Sequence, residues 1–410
     1  MTNSKQRTDY TCLLLALFLF VLLYPYFLWG MFSSKIVSLT IKVGITLFVL
    51  LRYSKRLSSK EVKLVALYEF IWLLYVFLNL TRHGSNFNGV VSQIPICLYV
   101  SVCVMDTTAM KKIGNYLISI VSLVMGIGMV FYILSLVGLS IPSFGVIEHY
   151  SQADRTYTVY PFYVMENTNV FASAFRFCGP FDEPGVVGTL SIFFLYILRF
   201  DFKDWRTWIC LIAGVLSFSF FFYVMVIIYW VTNFAFFQKS VWSILLVLAL
   251  FGGLYYYTKD NVIIKAIIWQ RFEWVDQEGK FMGDNRMVES GEFVYEQIRG
   301  TADYWWGLSE DKSRWFWDFA EGSSSYKTVI ATNGMVFFVL YLFFFILMGW
   351  YYKGSKVDYL VFISLIIVCF YQRTNIYSVP YMFLYAYLAR LKEIQRIESR
   401  SSESFSLNPT

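Results

Sequence analysis

Three charged residues lie just before an apolar stretch in the segment RFCGPFDEPGVVG, which covers residues 176–188. Arg176 carries a guanidinium, the group best shaped for bidentate contact with phosphate oxygens. Asp182 and Glu183 carry carboxylates, which can accept protons or hydrogen bonds. The chain around them is apolar, so the placement of these three groups calls for a reason.

The glycines and prolines of this segment predict a structured turn that leads into a helix. Gly179, Gly185 and Gly188 permit close backbone approach or unusual dihedral angles. Pro180 and Pro184 prevent a continuous helix through the turn. Because acids are favoured near a helix N-terminus, capping is the alternative role for the two carboxylates. Capping does not account for the arginine or for all three glycines.

More arginines lie in a second polar segment, residues 258–327: Arg271, Arg286, Arg299 and Arg314. Arginines that converge at a membrane–water boundary suit a pyrophosphate headgroup. Arg176, Arg271 and Arg286 are therefore predicted to bind such a group together. The alternative is ordinary solvation, or salt bridges with Glu273, Asp276, Glu289 or Glu292.

Composition places these segments in a membrane protein. Of 410 residues, 58% are hydrophobic and only 15% are charged, whereas soluble domains carry about 25% charged residues. The net charge of +6 is spread over short loops and indicates no nucleic-acid partner. The six cysteines show no metal-ligand spacing and the chain has only two histidines, so we expect neither a disulfide framework nor a metal site.

Apolar runs predict an all-α polytopic membrane protein with about 12 transmembrane helices. The predicted spans are 11–29, 36–51, 62–80, 89–105, 113–139, 185–200, two within 207–237, 241–257, 328–351, 357–372 and 376–391. The run 207–237 is long for one span and short for two. We favour two crossings that break near residues 217–219, because a single crossing would place two later basic segments on the wrong side.

This topology predicts a multi-pass protein of the bacterial cytoplasmic membrane with both termini in the cytoplasm. Residues 1–391 form one transmembrane domain, and residues 392–410 form a cytoplasmic tail. The external loops are 140–184 and 258–327. The second loop is partly helical, with one face predicted from the spacing of Met287, Val288, Gly291, Val294, Tyr295 and Ile298 and a stop at Gly300.

Segment 176–188 resembles the Arg-x-x-Gly-x-Phe-x-x-Pro-Asn-x-x-Gly signature of bacterial O-antigen and capsule repeat-unit polymerases of the Wzy type, which the related O-antigen ligases share. The matching residues are Arg176, Gly179, Phe181, Pro184 and Gly188. The large external loop and its return through TNGMVFF are also similar to that family, with Gly334 as the glycine that opens the last spans.

Two departures from the family pattern stand out. Gly185 occupies the position where asparagine is usual. Ligases and many polymerases carry a histidine about 11 residues before the glycine that corresponds to Gly334, whereas this chain has serines at 323–325. The second departure argues against ligase activity and against any mechanism that needs that histidine.

The resemblance implies a glycosyltransferase that polymerises oligosaccharide repeat units linked to undecaprenyl pyrophosphate, in contact with membrane lipid and without a cofactor or metal. Arg176, Arg271 and Arg286 would stabilise the departing pyrophosphate, with Gly179 beside them in the substrate-binding turn. Glu183 is the first candidate for the base that accepts the hydroxyl proton, and Asp182 is the second. A chain-length regulator and a flippase are possible protein partners.

Two other functions compete with the polymerase. A flippase for lipid-linked oligosaccharide suits a protein with many spans, but such transporters more often show internal repeats and midplane charges. An O-antigen ligase would share the motif, but this chain lacks the histidine that ligases carry.

Overall fold

The computed structural model describes residues 2–29, 57–82, 105–149, 155–167, 176–233, 255–261, 269–275, 289–309, 325–352, 354–372 and 378–397, with a few shorter pieces between them. The chain forms two compact units. The first comprises Met1–Ser38 and Lys111–Gly283, and the second comprises Leu39–Met110 and Asp284–Thr410.

The structure is mainly helical, as the sequence predicts. The helices are α1 (Thr2–Val21), α2 (Ser59–Arg82), α3 (Thr107–Leu136), α4 (Pro184–Ile197), α5 (Trp205–Leu216), α6 (Phe220–Asn233), α7 (Glu289–Ile298), α8 (Ala302–Trp306), α9 (Tyr326–Asn333), α10 (Met335–Tyr352), α11 (Lys356–Gln372) and α12 (Val379–Ala389). Short 3-10 turns cover Tyr26–Leu28 and Trp269–Phe272. The strands are β1 (Gly145–Glu148), β2 (Thr156–Tyr160), β3 (Tyr163–Glu166), β4 (Trp274–Val275) and β5 (Lys280–Phe281).

Helix α4 is the centre of the first unit, and every residue from Gly185 to Ile197 is buried. A helix that is apolar all round has no face suited to water, so it is surrounded by other elements. Helices α5 and α6 pack on it. Helix α3 also contacts α5, where the Ser122 Oγ and Cys210 Sγ atoms are 3.5 Å apart.

The chain reverses direction between α5 and α6, at residues 217–219. Near the start of α4, Ser219 lies against Gly188. Further along, the Tyr196 hydroxyl donates to the Met225 carbonyl at 2.6 Å. Helix α6 therefore runs in the same direction as α4 and opposite to α5. The predicted break in the run 207–237 is confirmed as a reversal.

Loop 140–184 contains a three-stranded antiparallel sheet that the prediction of an all-α protein did not include. Strand β2 lies in the middle, with Thr158 opposite Val146 of β1 and opposite Met165 of β3. The β2–β3 turn rests on α3, because a Cβ atom added to Gly128 would lie 2.3 Å from the Phe162 carbonyl oxygen. A small core joins the sheet to the 3-10 turn; its buried members are Trp29, Tyr157, Val159, Val164 and Cys178.

In the second unit, α10 packs against α2, α11 and α12. Aromatic rings fill this contact: the Tyr68 and Phe344 centroids are 4.9 Å apart, and those of Trp72 and Phe337 are 5.2 Å apart. Aromatic side chains bury large areas and prefer such tilted or edge-on pairs. The high aromatic content is therefore used in helix packing as well as at the surface.

Helix α7 confirms the predicted helix in loop 258–327. Its buried residues are Gly291, Val294, Tyr295 and Ile298, while the predicted Met287 and Val288 lie outside the described residues. Gly300 follows with a φ of +80°, a conformation that glycine adopts readily. The buried face packs on α9, and Gly307 and Gly334 meet backbone to backbone, since a Cβ atom on Gly334 would lie 2.5 Å from the Trp305 carbonyl oxygen.

Two of the described helices, Thr107–Leu136 and Met335–Tyr352, are long and apolar enough to cross a membrane. Other apolar helices are shorter; α5 and α6 have 12 and 14 residues, or about 18 and 21 Å at 1.5 Å per residue, against a hydrocarbon core of about 30 Å. The described residues therefore do not support twelve complete spans. The predicted spans 36–51, 89–105 and 241–257 lie largely outside them.

Candidate functional site

Segment 176–188 forms the predicted turn, and neighbouring elements fix its backbone. Gly179 has a φ of +56°, which an L side chain rarely adopts. Its carbonyl accepts a hydrogen bond from the Val164 amide of β3, at 3.0 Å, and the next carbonyl, that of Pro180, accepts one from the Tyr26 amide, at 2.8 Å. Gly179 is therefore needed for the shape of the turn that carries the two carboxylates.

Gly188 allows the start of α4 to approach the reversal between α5 and α6. A Cβ atom at this position would lie 2.3 Å from the Ser219 Cβ atom and 3.0 Å from the Ser217 Oγ atom. Real Cβ atoms do not make contacts this short, so only glycine fits here without a rearrangement. Gly188, the last glycine of the motif, is thus in direct contact with Ser217 and Ser219 at the reversal between α5 and α6.

Arg176 is half-buried and joins the turn to the C-terminal end of α5. Its Nε atom donates to the Ser217 carbonyl at 3.2 Å, and the Phe177 amide donates to the Leu216 carbonyl at 2.9 Å. The last carbonyls of a helix lack partners within the helix, so these contacts satisfy them. The guanidinium charge also acts on the nearby Cys178 thiol.

Asp182 faces His149, one of the two histidines that are too few to predict a metal site. The Asp182 Oδ2 atom lies 3.4 Å from the His149 Nε2 atom. The histidine side chain is 5% exposed and that of Asp182 is 31% exposed. The Trp29 ring packs edge-on against the imidazole, with centroids 5.0 Å apart. The pair thus has one buried member and one accessible member.

Glu183 occupies the N-cap position of α4, but its side chain makes no capping hydrogen bond. The position fits the expected favourable interaction of an acid with the helix dipole, whereas a capping hydrogen bond is not observed. The charged neighbour of Glu183 is Arg155, at the start of β2. Burial works against the charge on Arg155, but Glu166, Tyr157 and Glu183 together outweigh burial and raise its pKa.

The charged groups of this region form a cluster, which comprises His149, Arg155, Glu166, Arg176, Asp182 and Glu183. Tyr157 and Cys178 are the buried residues on which these charges act. Burial, together with the negative charges of Asp182 and Glu166, raises the pKa of the Tyr157 hydroxyl. The Arg155 guanidinium acts on this hydroxyl, although no partner within the described residues meets hydrogen-bond geometry with it. Burial also raises the pKa of the Cys178 thiol. Both groups are therefore neutral near pH 7, and they exclude water from the side of the charged groups that they contact.

Four of the six predicted site residues lie in the described turn, namely Arg176, Gly179, Asp182 and Glu183. The charges of Arg176, Asp182 and Glu183 all act on the buried Cys178 thiol. Arg271 lies in the 3-10 turn Trp269–Phe272, of which only the backbone is described at this position. Arg286 lies outside the described residues. Their convergence on Arg176 stays a prediction. Arg299 follows the alternative of an ordinary salt bridge, since its Nη1 atom lies 3.4 Å from the Glu296 carboxylate.

No sequence motif predicted four residues of this region, namely His149, Arg155, Tyr157 and Glu166. Their distance along the chain from Asp182 hides the cluster in a reading of local motifs. A usable signal existed in the alternating segment TYTVY, which predicts a strand, followed by PF and YVME, which predict a hairpin. Such a hairpin would have placed Glu166 opposite Tyr157, two residues from Arg155.

Within the described residues, no group of three or more histidine, cysteine or acidic side chains could hold a metal ion. The cluster instead combines two arginines, three carboxylates, a histidine and a buried tyrosine. Such a set can bind an anionic group and exchange a proton with a hydroxyl. Comparison of the chain with protein-family models, curated proteins and solved structures gives no match.

Proposed function

We propose that this protein is a glycosyltransferase that polymerises surface polysaccharide, either O-antigen or capsule. Its substrates would be oligosaccharide repeat units linked to undecaprenyl pyrophosphate. The observation that carries the proposal is the cluster around Arg176, Asp182 and Glu183, at the end of the apolar helix α4. The resemblance of segment 176–188 to the Wzy-type signature supports the same assignment.

The motif residues have physical roles that suit such a site. Gly179 and Gly188 shape the turn and its contact with the α5–α6 reversal. Arg176 and Arg155 supply positive charge, and the carboxylates supply proton acceptors. A water-poor site strengthens electrostatic stabilisation of a departing pyrophosphate, because fewer water dipoles screen the charges.

The proposed reaction transfers a growing glycan to the next lipid-linked unit. The bond between the donor sugar C1 and the pyrophosphate oxygen breaks, and the electron pair leaves with the lipid pyrophosphate. The acceptor hydroxyl oxygen bonds to C1, and its proton passes to a carboxylate of the cluster. Arg176 would stabilise the developing negative charge on the leaving group, and Arg271 and Arg286 are further candidates for this role.

The proposal includes the membrane placement derived from the sequence: about 12 crossings, both termini in the cytoplasm and the cluster on the external side. The two long apolar helices are consistent with a membrane protein. Residues 199–206, RFDFKDWR, follow the opposite end of α4 and are basic, as cytoplasmic loops are. Helices α4, α5 and α6 would then be short segments beneath an external site.

A gene-deletion strain complemented with variants tests the site. Arg176→Ala is expected to leave single repeat units on the surface or on the carrier, with a rate loss of about 10²–10³-fold. The matched control is Arg299→Ala, whose arginine is exposed and only salt-bridged. The amount of membrane-inserted protein is measured in parallel. Full-length polysaccharide from Arg176→Ala at normal protein levels would show that the site assignment is wrong.

A reconstituted assay tests the reaction class. The purified protein in vesicles receives the lipid-linked repeat unit on the accessible outer surface, together with a lipid-core acceptor. Polymer supports the proposal. Movement of the lipid-linked unit across the bilayer without polymer identifies a flippase instead, and transfer only to the lipid core identifies a ligase.

A further inference from the structure

The two carboxylates of the cluster have different charged neighbours. Asp182 lies 3.4 Å from the His149 ring. Glu183 is adjacent to Arg155, which also faces Glu166, with the Arg155 Nε atom 3.9 Å from the Glu166 carboxylate. One carboxylate is thus paired with an imidazole and the other shares a guanidinium.

His149 is held in place by its backbone and by its ring. Its amide donates to the Arg155 carbonyl at 2.9 Å, which extends the pairing of β1 with β2. The ring packs edge-on against Trp29 and lies 6.1 Å from the Tyr157 ring. A ring fixed on two sides can orient a partner, because it has few alternative rotamers in a packed core.

Asp182 combines this fixed partner with access to the surface. Its side chain is 31% exposed, whereas that of His149 is 5% exposed. A substrate hydroxyl can therefore reach the carboxylate but not the imidazole. This is the arrangement of a base whose orientation depends on a third group behind it.

We propose that Asp182 is the carboxylate that takes the acceptor proton, and that His149 is the positioning residue that orients it. The inference rests on the proposed function and reverses the order of the two carboxylates expected from the sequence. Glu183 then has a different role, because together with Glu166 it holds Arg155 at the site. In the transfer step, the hydroxyl proton moves to an Asp182 oxygen while the hydroxyl oxygen bonds to the donor C1 and the pyrophosphate departs with the electron pair.

The test compares polymerisation rates in reconstituted vesicles, with undecaprenyl-pyrophosphate-linked repeat unit as the substrate. His149→Phe keeps the ring packing and removes the contact with Asp182. We expect kcat to fall about 10- to 100-fold, which is the usual loss when a residue that orients a functional group is removed. KM should stay within about twofold, because the buried ring does not touch substrate. His149→Gln keeps a side-chain N–H donor and should recover part of the rate.

A double-mutant cycle separates positioning from a general structural effect. If His149 acts through Asp182, the combination of His149→Phe with Asp182→Asn should be no slower than Asp182→Asn alone. Thermal unfolding in detergent shows whether each variant is folded. Where His149→Phe does not fold, His149→Leu, which also removes the donor, replaces it in the same cycle.

Three results would overturn the inference: an unchanged rate for the folded His149 variant, multiplicative losses in the cycle, or a larger loss from Glu183→Gln than from Asp182→Asn. All three require polymer from the wild-type protein. Absence of polymer from the folded wild-type protein would instead refute the proposed function, and this inference with it.

Discussion

Arg390 of the second unit lies at the end of α12, and Arg176 of the first unit contacts the end of α5, yet their surroundings differ. Arg390 is fully buried. Its Nη1 atom donates to the Met105 carbonyl at 2.6 Å, its Nε atom donates to Glu393 at 3.0 Å, and its Nη2 atom donates to the Thr107 hydroxyl. Arg176 is half-buried, and its Nε atom donates to one carbonyl of a helix reversal.

The neighbours of the two arginines extend this difference. Around Arg390, Glu61 is buried and accepts hydrogen bonds from Ser58 and from the Tyr352 hydroxyl. The Tyr352 ring lies 5.4 Å from the Arg390 guanidinium. These contacts join segments that are far apart in sequence, so the network is structural. In the first unit, by contrast, Arg176, Asp182 and Glu183 all act on the buried Cys178 thiol, and both carboxylates are partly exposed.

Burial of the arginine distinguishes the two clusters: Arg390 is fully buried and Arg176 is half-buried, although Glu393 and Asp182 are both partly exposed. Both clusters contain arginine, carboxylate and tyrosine, so composition alone would rank them equally. A buried charge is tolerated only when its hydrogen bonds are made within the protein. A functional charge needs partial access, because its partner arrives from outside.

Replacing Arg390 should give the largest change in stability. Arg390→Met leaves the Met105 carbonyl and the Thr107 hydroxyl without this donor and Glu393 without its cation. We expect the free energy of unfolding to fall by about 2–4 kcal/mol, because two buried acceptors lose their donor at about 1–3 kcal/mol each, whereas the Glu393 carboxylate is 42% exposed and stays hydrated. Thermal unfolding in detergent measures the change, with the exposed Arg396→Ala as the control. A variant as stable as wild type would show that the hydrogen bonds of Arg390 do not stabilise the fold.

Gly188 tests whether the contact beneath Arg176 is as close as the structure indicates. Gly188→Ala should lower the free energy of unfolding by about 1–3 kcal/mol, because the new methyl group overlaps Ser219. Gly126→Ala on α3 is the matched control, since its methyl group would meet only the flexible end of Ile209, at 3.2 Å. Thermal unfolding of both variants gives the comparison.

A second substitution at the same contact distinguishes overlap from any other effect of alanine at position 188. Ser219→Gly removes the Cβ atom that the alanine would strike. The double variant should therefore regain stability relative to Gly188→Ala alone, although the Ser217 Oγ atom limits full recovery. If Ser219→Gly gives no relief, the close approach of α4 to the reversal is wrong.

The helices were predictable because apolar length is a local signal. The run 62–80 corresponds to Ser59–Arg82, and 357–372 corresponds to Lys356–Gln372. The reversal near residue 217 followed from charge placement in distant loops, combined with a run too long for one span. In segment 258–327, 3.6-residue spacing identified the buried face of α7.

The site was only partly predictable because its contacts are not local. Motif spacing identified Arg176, Asp182 and Glu183, but the partners of the two acids come from the sheet. His149 was not predicted as a site residue because two histidines are too few for a typical metal site. Its pairing with Asp182 also leaves no spacing pattern in the sequence, because the two residues are far apart along the chain. The roles of Gly179 and Gly188 were foreseen in kind, yet the atoms they approach depend on tertiary packing.

Arg206 offers the mildest test, because it combines features of both arginines. It lies near the start of α5, is 16% exposed in its side chain and pairs with the N-cap residue Asp204. Its Nη1 atom also donates to Ser119 on α3, at 3.2 Å. The hydrogen bond from Arg206, opposed in part by burial, lowers the pKa of Asp204 below its ordinary value of 3.8.

Asp204→Asn keeps a good N-cap and removes the charge, so it isolates the ion pair. At pH 7 the variant should unfold with about 0.5–1 kcal/mol less free energy than wild type, as for a partly exposed pair. Because the folded-state pKa is depressed, this difference should be complete above about pH 5 and should shrink as the pH falls below 3.8. Thermal unfolding of both proteins from pH 7 to pH 3 follows it. A difference that stays constant over this range would mean that the Asp204 charge does not stabilise the fold, and that Arg206 is held by its contacts with α3 alone.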